Sequence, residues 1–418
     1  MPDVRANRSR VPSTAVGGSA RPARILVVAP QPFYEDRGTP IAVRQVLEAL
    51  SELDYDVDLV TYPVGSAIDI PRVRFFRAPN PLRIRHVPVG LSARKVLLDA
   101  TLLSTLHTRL RAERYACIHA VEEAAFPAVV LGRRHGVPVI YDMQSSLPEH
   151  LARHAFFRAW PARSIVQRCE QWLLRRADWV VGSAGLAARV RELAPTTRVR
   201  EWRFAALGPQ TSPDSVAARR RELQIPSGAP VVLYSGTFEP YQGIPDLIAA
   251  IPTVLASCPA AVFVLVGASG AAGEAVRRQA ADLEKQGAVR FVERQPRDRI
   301  PSYLAIADVL VSPRLEGGNL PLKIFDYLAT GRPIVATDVL SHRAVLTDER
   351  AVLVKPTADA LARGITEVLT DDERARRLGA AARAYADHEF AWPSFVESVR
   401  ELYEEAVQDG AAQHAATA

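Results

Sequence analysis

Very little in this chain could be cross-linked or metallated. Its 418 residues include three cysteines, Cys117, Cys169 and Cys258, widely separated and without metal-type spacing. So sparse and odd a set excludes a disulfide scaffold and fits a reducing cytoplasm, with each thiol as a small apolar residue. Long apolar runs are missing too. The longest, over 25–30 and 262–266, are strand-sized, far short of the roughly 20 residues a bilayer-spanning helix needs. Residues 1–23 carry Arg, Ser, Pro and Gly but no apolar core, so they read as a disordered tail, not a signal peptide. Residues 409–418 read the same way. No His, Cys and carboxylate cluster has metal spacing, and Asp56–Val57–Asp58 at a strand start is too slight for a metal site. The expectation is therefore no metal and no cofactor.

What is present is globular: 48% hydrophobic and 23% charged residues, in a chain long enough for two cores. The net charge of +6 is modest but unevenly spread. Seven Lys/Arg face two acids from Pro79 to Tyr115, and six Arg face Glu170 alone from Leu151 to Arg176. That bias gives the first half an anionic partner. It is not nucleic acid, because no reading motif accompanies the charge.

Short β-branched runs alternate with helical patterns almost throughout. Strands are expected at Arg24–Ala29, Val57–Thr61, Val73–Arg77, Cys117–Ala120, Val137–Tyr141 and Trp179–Gly182. A second set follows at Val231–Ser235, Ala261–Gly267, Val289–Val292, Val309–Val311, Ile334–Ala336 and Ala351–Val354. Consecutive apolar residues, as in ILVVA and VFVLV, mark strands buried on both faces, hence parallel sheets flanked by helices such as Ala42–Leu53. The fold class is α/β, with two doubly wound Rossmann-like domains facing across a cleft. Periodicity stops near Ala205–Ser215, which divides the chain into domains of 24–204 and 205–392. A C-terminal helix over 393–408 is expected to pack back on the first domain.

The most informative stretch is Ser312–Asp338, where a strand runs through a Gly/Asn/Pro loop into the helix Leu322–Ala329. Gly331 ends that helix and Pro333 prevents its continuation. A strand, a glycine-rich loop and a helix N-terminus together make an anion site. Lys323 opposes the helix dipole from the first turn, so it is assigned to a ligand. Asp326 shares its face at i+3, and the bland alternative is a simple ion pair on a solvated helix. The Glu316–Gly317–Gly318–Asn319 loop tips the balance towards a site, because such loops cost entropy.

This segment resembles the donor-site signature of the retaining glycosyltransferases of family 4, which have the GT-B fold. The matching positions are Glu316, Asp326 and Thr330–Gly331–Arg332–Pro333–Ile334. The spacing is a variant one, with nine residues between the acids and Asp as the second acid. The resemblance implies that Asp326 hydrogen-bonds the donor ribose and that Glu316 lies near the sugar hydroxyls. It also implies that the backbone from Gly318 through Asn319 to Leu320 faces sugar and phosphate. A second match, Tyr234 to Gly243, places Gly236 and Thr237 against the donor. It lacks the family's Arg and Lys clamp, having Thr237 or Phe238 and then Gln242, so Lys323, Arg314 and backbone amides are expected to substitute. Gly38 and Thr39 resemble the first domain's loop that closes on the donor phosphates. Arg294–Gln295 resembles the place where main chain meets the nucleobase.

On the acceptor side, His119 at a strand end is either a sugar contact or a satisfied structural histidine. Glu122 and Glu123 behind it either face the cleft or simply start a helix. Asp142 and Ser145 are candidate acceptor contacts. Glu170, Asp178 and Ser183 read as packing and capping. The resemblance implies transfer of a sugar from a nucleoside-diphosphate sugar to a hydroxyl of a glycan or lipid-linked acceptor, with retention. Catalysis is assigned to Glu316, Lys323 and His119. Two alternatives use the same fold. One is a nucleotide-sugar 2-epimerase, which would need His119 with Glu122 or Glu123 in the cleft. The other is a non-catalytic nucleotide-binding partner. Arg and large apolar residues interleave over Leu151–Arg176, a pattern that suits either anionic lipid or an ordinary surface helix. The first reading puts the protein at the cytoplasmic face of a membrane.

Overall fold

The computed structural model describes residues 22–35, 38–85, 87, 92–151, 160–206, 212–316 and 321–417. The tail expected over 1–23 therefore falls largely outside the described residues, as do Gly318, Asn319 and Leu320. The tail expected over 409–418 is instead helical through Thr417, an extension of the C-terminal helix beyond the expected 408.

Two parallel sheets form the framework. The first comprises β1 (Arg24–Ala29), β2 (Asp56–Thr61), β3 (Val73–Arg77), β4 (Cys117–Val121), β5 (Val139–Met143), β6 (Trp179–Gly182) and β7 (Arg198–Glu201). Their spatial order is β3-β2-β1-β4-β5-β6-β7. The second comprises β8 (Val231–Ser235), β9 (Val262–Val266), β10 (Val289–Val292), β11 (Val309–Ser312), β12 (Ile334–Thr337) and β13 (Val352–Val354), ordered β10-β9-β8-β11-β12-β13. Strand order reverses between β1 and β4 in one sheet and between β8 and β11 in the other. Ligands bind at such reversal points in doubly wound sheets. This is the two-domain GT-B architecture.

β7 was not expected from the sequence. Its four residues, RVRE, lie half-buried at the sheet edge and carry no apolar run to betray them. The first helix also begins earlier than expected, at Gly38. Gly, Thr and Pro in its first turn hide the start, although Pro suits a position whose N–H needs no partner.

The closing helix, Trp392–Thr417, lies against the first sheet and the helix Gly38–Glu52. Trp392 Nε1 donates to Glu52 at 2.8 Å, Trp179 Nε1 donates to Asp409 at 3.2 Å, and Arg200 pairs with Glu401 and Glu405. Gly410 permits the close approach, since a Cβ there would lie 2.2 Å from the Ala116 carbonyl oxygen. At the seam, Gln45 exchanges two hydrogen bonds of 2.9 Å with the Ala205 backbone. One apolar core consequently runs from Val27 and Leu47 through Trp202 and Phe395 to Leu233 and Leu310, joining both sheets. Asp56–Val57–Asp58 proves structural. Buried Asp58 accepts from Arg74 (2.7 and 2.8 Å), Arg109 (3.0 Å) and Tyr115 (2.6 Å). Burial alone would raise its pKa, but these partners hold the carboxyl below its usual range.

Candidate active site

A cleft of about 1030 Å³ opens between the carboxyl ends of the two sheets. Its second-half wall is built on β8, β11 and the helix Leu322–Thr330. Lys323, in the first turn of that helix, places Nζ 3.0 Å from Gln242 Oε1 and 4.0 Å from the centre of the Tyr234 ring. No carboxylate pairs with it among the described residues. Burial, then Arg314, pull the ammonium well below the ordinary lysine range. Gly236 (φ 150°) makes room here, because a Cβ would sit 2.8 Å from Tyr234 OH and 3.2 Å from Lys323 Nζ. Tyr234 OH donates to the Thr237 carbonyl at 2.6 Å, which fixes the turn after β8.

Arg314 is buried beneath the same wall, stacked on Tyr241 at 5.2 Å, with Nε donating to the Glu316 carbonyl at 2.7 Å. Its own carbonyl accepts from Thr337 Oγ1. Behind it, His342 Nδ1 meets the Thr337 carbonyl at 2.7 Å and Nε2 meets Ser312 Oγ at 3.0 Å. Burial first pushes this histidine down to about 4, so a neutral imidazole braces the strap that carries Arg314.

Lys323 and Asp326 do not pair with each other. Asp326 is held by Arg297, whose guanidinium meets both carboxylate oxygens at 3.0 and 3.2 Å. Arg297 went unrecognised in the sequence. It sits in a short turn 29 residues from Asp326, and no periodicity connects them. Arg294, Thr237 and Gly236 line the cleft, and so do Gly38 and Thr39 from the opposite wall. Nothing lies within 4 Å of a Cβ added at Gly38, so crowding does not explain that glycine. Glu316 is exposed and is not among the lining residues.

The first-half wall presents Gln31, Glu122, Asp142, Ser145, Ser183 and Trp202. Three polar atoms on these residues, Gln31 Nε2, Ser183 Oγ and Trp202 Nε1, are buried without a hydrogen-bond partner. Unpaired buried polar groups cost about 1–3 kcal/mol each, which suits a wall that a ligand completes. Glu170 and Asp178 are structural. Glu170 takes Ser146 Oγ (3.0 Å), Leu147 N (2.9 Å) and Arg189 (2.8 Å), while Asp178 takes Val139 N (2.8 Å).

The assignment of His119 to catalysis is corrected. The imidazole is completely buried and does not line the cleft. Nε2 meets Asp142 Oδ2 at 3.3 Å and Nδ1 meets Tyr403 OH at 2.9 Å. The ring is stacked between Trp202 and Tyr403. Both ring nitrogens are engaged, so its role is to orient Asp142. The same burial removes the histidine that an epimerase would need.

Two family descriptions match the chain: a glycosyl transferase 4-like domain over residues 37–183 and glycosyl transferases group 1 over 215–385. A phosphatidyl-myo-inositol mannosyltransferase of Mycolicibacterium smegmatis is 29% identical over 226 residues, covering 51% of this chain and 57% of that protein. A glycogen synthase of Mycobacterium tuberculosis is 26% identical over 293 residues, covering 67% of this chain and 66% of the relative. The chain thus spans about half to two-thirds of the curated relatives it matches. Among solved structures, sucrose-phosphate synthase from Thermosynechococcus elongatus superimposes with a TM-score of 0.75 at 22% identity, covering 92% of this chain and 98% of that one. The Anabaena protein HepE in complex with UDP and glucose gives 0.70 at 18% identity, covering 92% and 100%. At such identities the likeness is one of fold.

Proposed function

The chain belongs to the GT-B glycosyltransferases of family 4 type, and we propose that it transfers a sugar from a nucleoside-diphosphate sugar to a hydroxyl acceptor. The observation that carries this is Lys323, an enclosed ammonium at a helix N-terminus with no carboxylate to neutralise it among the described residues. A diphosphate supplies the missing charge. Contact between Lys323 and Gln242 explains how the variant signature works. The cation that the family sets on the loop after β8 comes instead from the helix after β11, and it reaches the same side chain. Arg314 adds a second positive charge, and together they stabilise the departing diphosphate.

Asp326, aligned by Arg297, takes the ribose hydroxyls. The main chain at Arg294 and Gln295 meets the base, while Gly38 and Thr39 approach the phosphates from across the cleft. Transfer proceeds with retention and without a metal. The names of the relatives, a phosphatidyl-myo-inositol mannosyltransferase and a glycogen synthase, make a lipid-linked or glycan acceptor the working choice. Exposed Ile165 (61%) and Trp172 (38%) lie on the Arg-bearing helix Trp160–Leu174. They support peripheral contact with an anionic membrane at its cytoplasmic face.

The test is calorimetric titration with UDP and GDP, followed by donor turnover. One of the two nucleotides binds, and Lys323→Ala weakens it by about 30- to 100-fold, the equivalent of a charged hydrogen bond of ~2–3 kcal/mol. Unchanged affinity in that variant would place the phosphates elsewhere.

A further inference from the structure

Two cleft residues with unused hydrogen-bonding capacity follow neighbouring strands where the first sheet reverses its strand order. β1 and β4 are neighbours, with Val28 opposite Ala120, so Gln31 and Glu122 leave adjacent strand ends. Both line the cleft. The Gln31 backbone is fully engaged, its N–H with Ala29 O at 2.8 Å and its carbonyl with Thr61 Oγ1 at 2.6 Å. Its side chain is buried, yet Nε2 has no partner. Glu122 accepts from Ser145 Oγ through Oε1 at 2.9 Å, and Oε2 makes no hydrogen bond or ion pair among the described residues. The Glu122 backbone is left-handed, φ 49°, a conformation that costs an L residue about 1–2 kcal/mol and collects at functional sites.

We propose that Gln31 and Glu122 seat the reacting hydroxyl of the acceptor, the Gln31 amide donating to its oxygen and Glu122 Oε2 accepting from its proton. This rests on the transfer reading above and names the acceptor contacts within it. The neighbours of Glu122 make the contact pH-sensitive. Facing it are Glu123 on its own turn, Tyr141 and Asp142 of β5, and Lys95 of the helix Ala93–Ala112, whose ammonium is bound by Glu123. Burial and then Glu123 push the Glu122 carboxyl up to about 8. Below that pH it is protonated and Oε2 loses strength as an acceptor. Above it the carboxylate is a stronger acceptor for the incoming hydroxyl.

Release of nucleoside diphosphate is followed from about pH 6 to about pH 10, with water, glycogen or phosphatidylinositol micelles as acceptor. Wild-type turnover rises through the Glu122 titration. Glu122→Gln lowers turnover and loses the rise. Glu122→Ala lowers acceptor kcat/KM on the order of 100-fold, and Gln31→Leu lowers it about tenfold, while UDP and GDP affinities and Tm stay at wild-type values. Wild-type kcat/KM in both truncations, or an unchanged pH rise in Glu122→Gln, overturns the assignment. A wild type that binds nucleotide but releases none from any donor sinks the transfer reading itself, which is a separate result.

Discussion

At the scale of single residues, Lys323 ties electrostatics to binding. An ammonium enclosed against Tyr234 and Gln242 and repelled by Arg314 sheds its proton easily. A bound diphosphate restores the charged form, because an adjacent anion favours the cation. Nucleotide binding should therefore draw in a proton and weaken as pH rises. Titrations in buffers of different ionisation enthalpy check this. The observed heat should vary with the buffer in wild type and lose that dependence in Lys323→Gln. Heat independent of buffer in the wild type would mean the lysine is already charged before the ligand arrives. The strand–loop–helix pattern placed Lys323 and Asp326 at the cleft, and the family resemblance placed Gly236 and Thr237 there. The pattern did not separate Lys323 from Asp326, because i,i+3 spacing says two side chains can meet, not that other partners hold each of them.

At the scale of elements, legibility followed burial. β1 and β9 were readable because strands covered on both faces must be apolar at consecutive positions. β7 was not, because its edge is covered by Arg200 pairing with Glu401 and Glu405, contacts about two hundred residues apart. His119 failed for the same reason. Its position at a strand end near the cleft was legible, but the helix that seals it supplies Tyr403 from 284 positions away. The docking of that helix makes a sharp prediction. Gly410→Val drives a side chain into the Ala116 carbonyl and should destabilise the protein by about 1–3 kcal/mol, read as a lower denaturant midpoint. An unchanged midpoint would show that the helix does not rest on the first sheet in solution.

At the scale of the whole molecule, the continuous core and the cleft above it set the Lys323 wall opposite the wall that carries Gln31 and Glu122. The outer surface adds a third face, where Arg176 lies 5.0 Å over Trp172 and Trp172 stacks on Phe126, itself a cleft-lining residue. Membrane contact on this face would set the mouth of the acceptor wall beside the lipid. Co-sedimentation should show binding to vesicles containing phosphatidylserine, little binding to phosphatidylcholine alone, and loss with salt as Debye screening shortens to about 3 Å near 1 M. Trp172→Ser with Ile165→Ser should abolish it. Equal binding to both vesicle types would argue against an electrostatic contact.

The far-travelling partnership of His119 and Tyr403 also sets an order of events during synthesis. At about 5–20 residues per second, a ribosome delivers Tyr403 roughly 15–60 s after His119. For that interval the strip around β4 and Trp202 stands without its last cover, and the second sheet, complete at Val354, is free to close before that cover arrives. The half of the protein that is made first is thus the half that matures last.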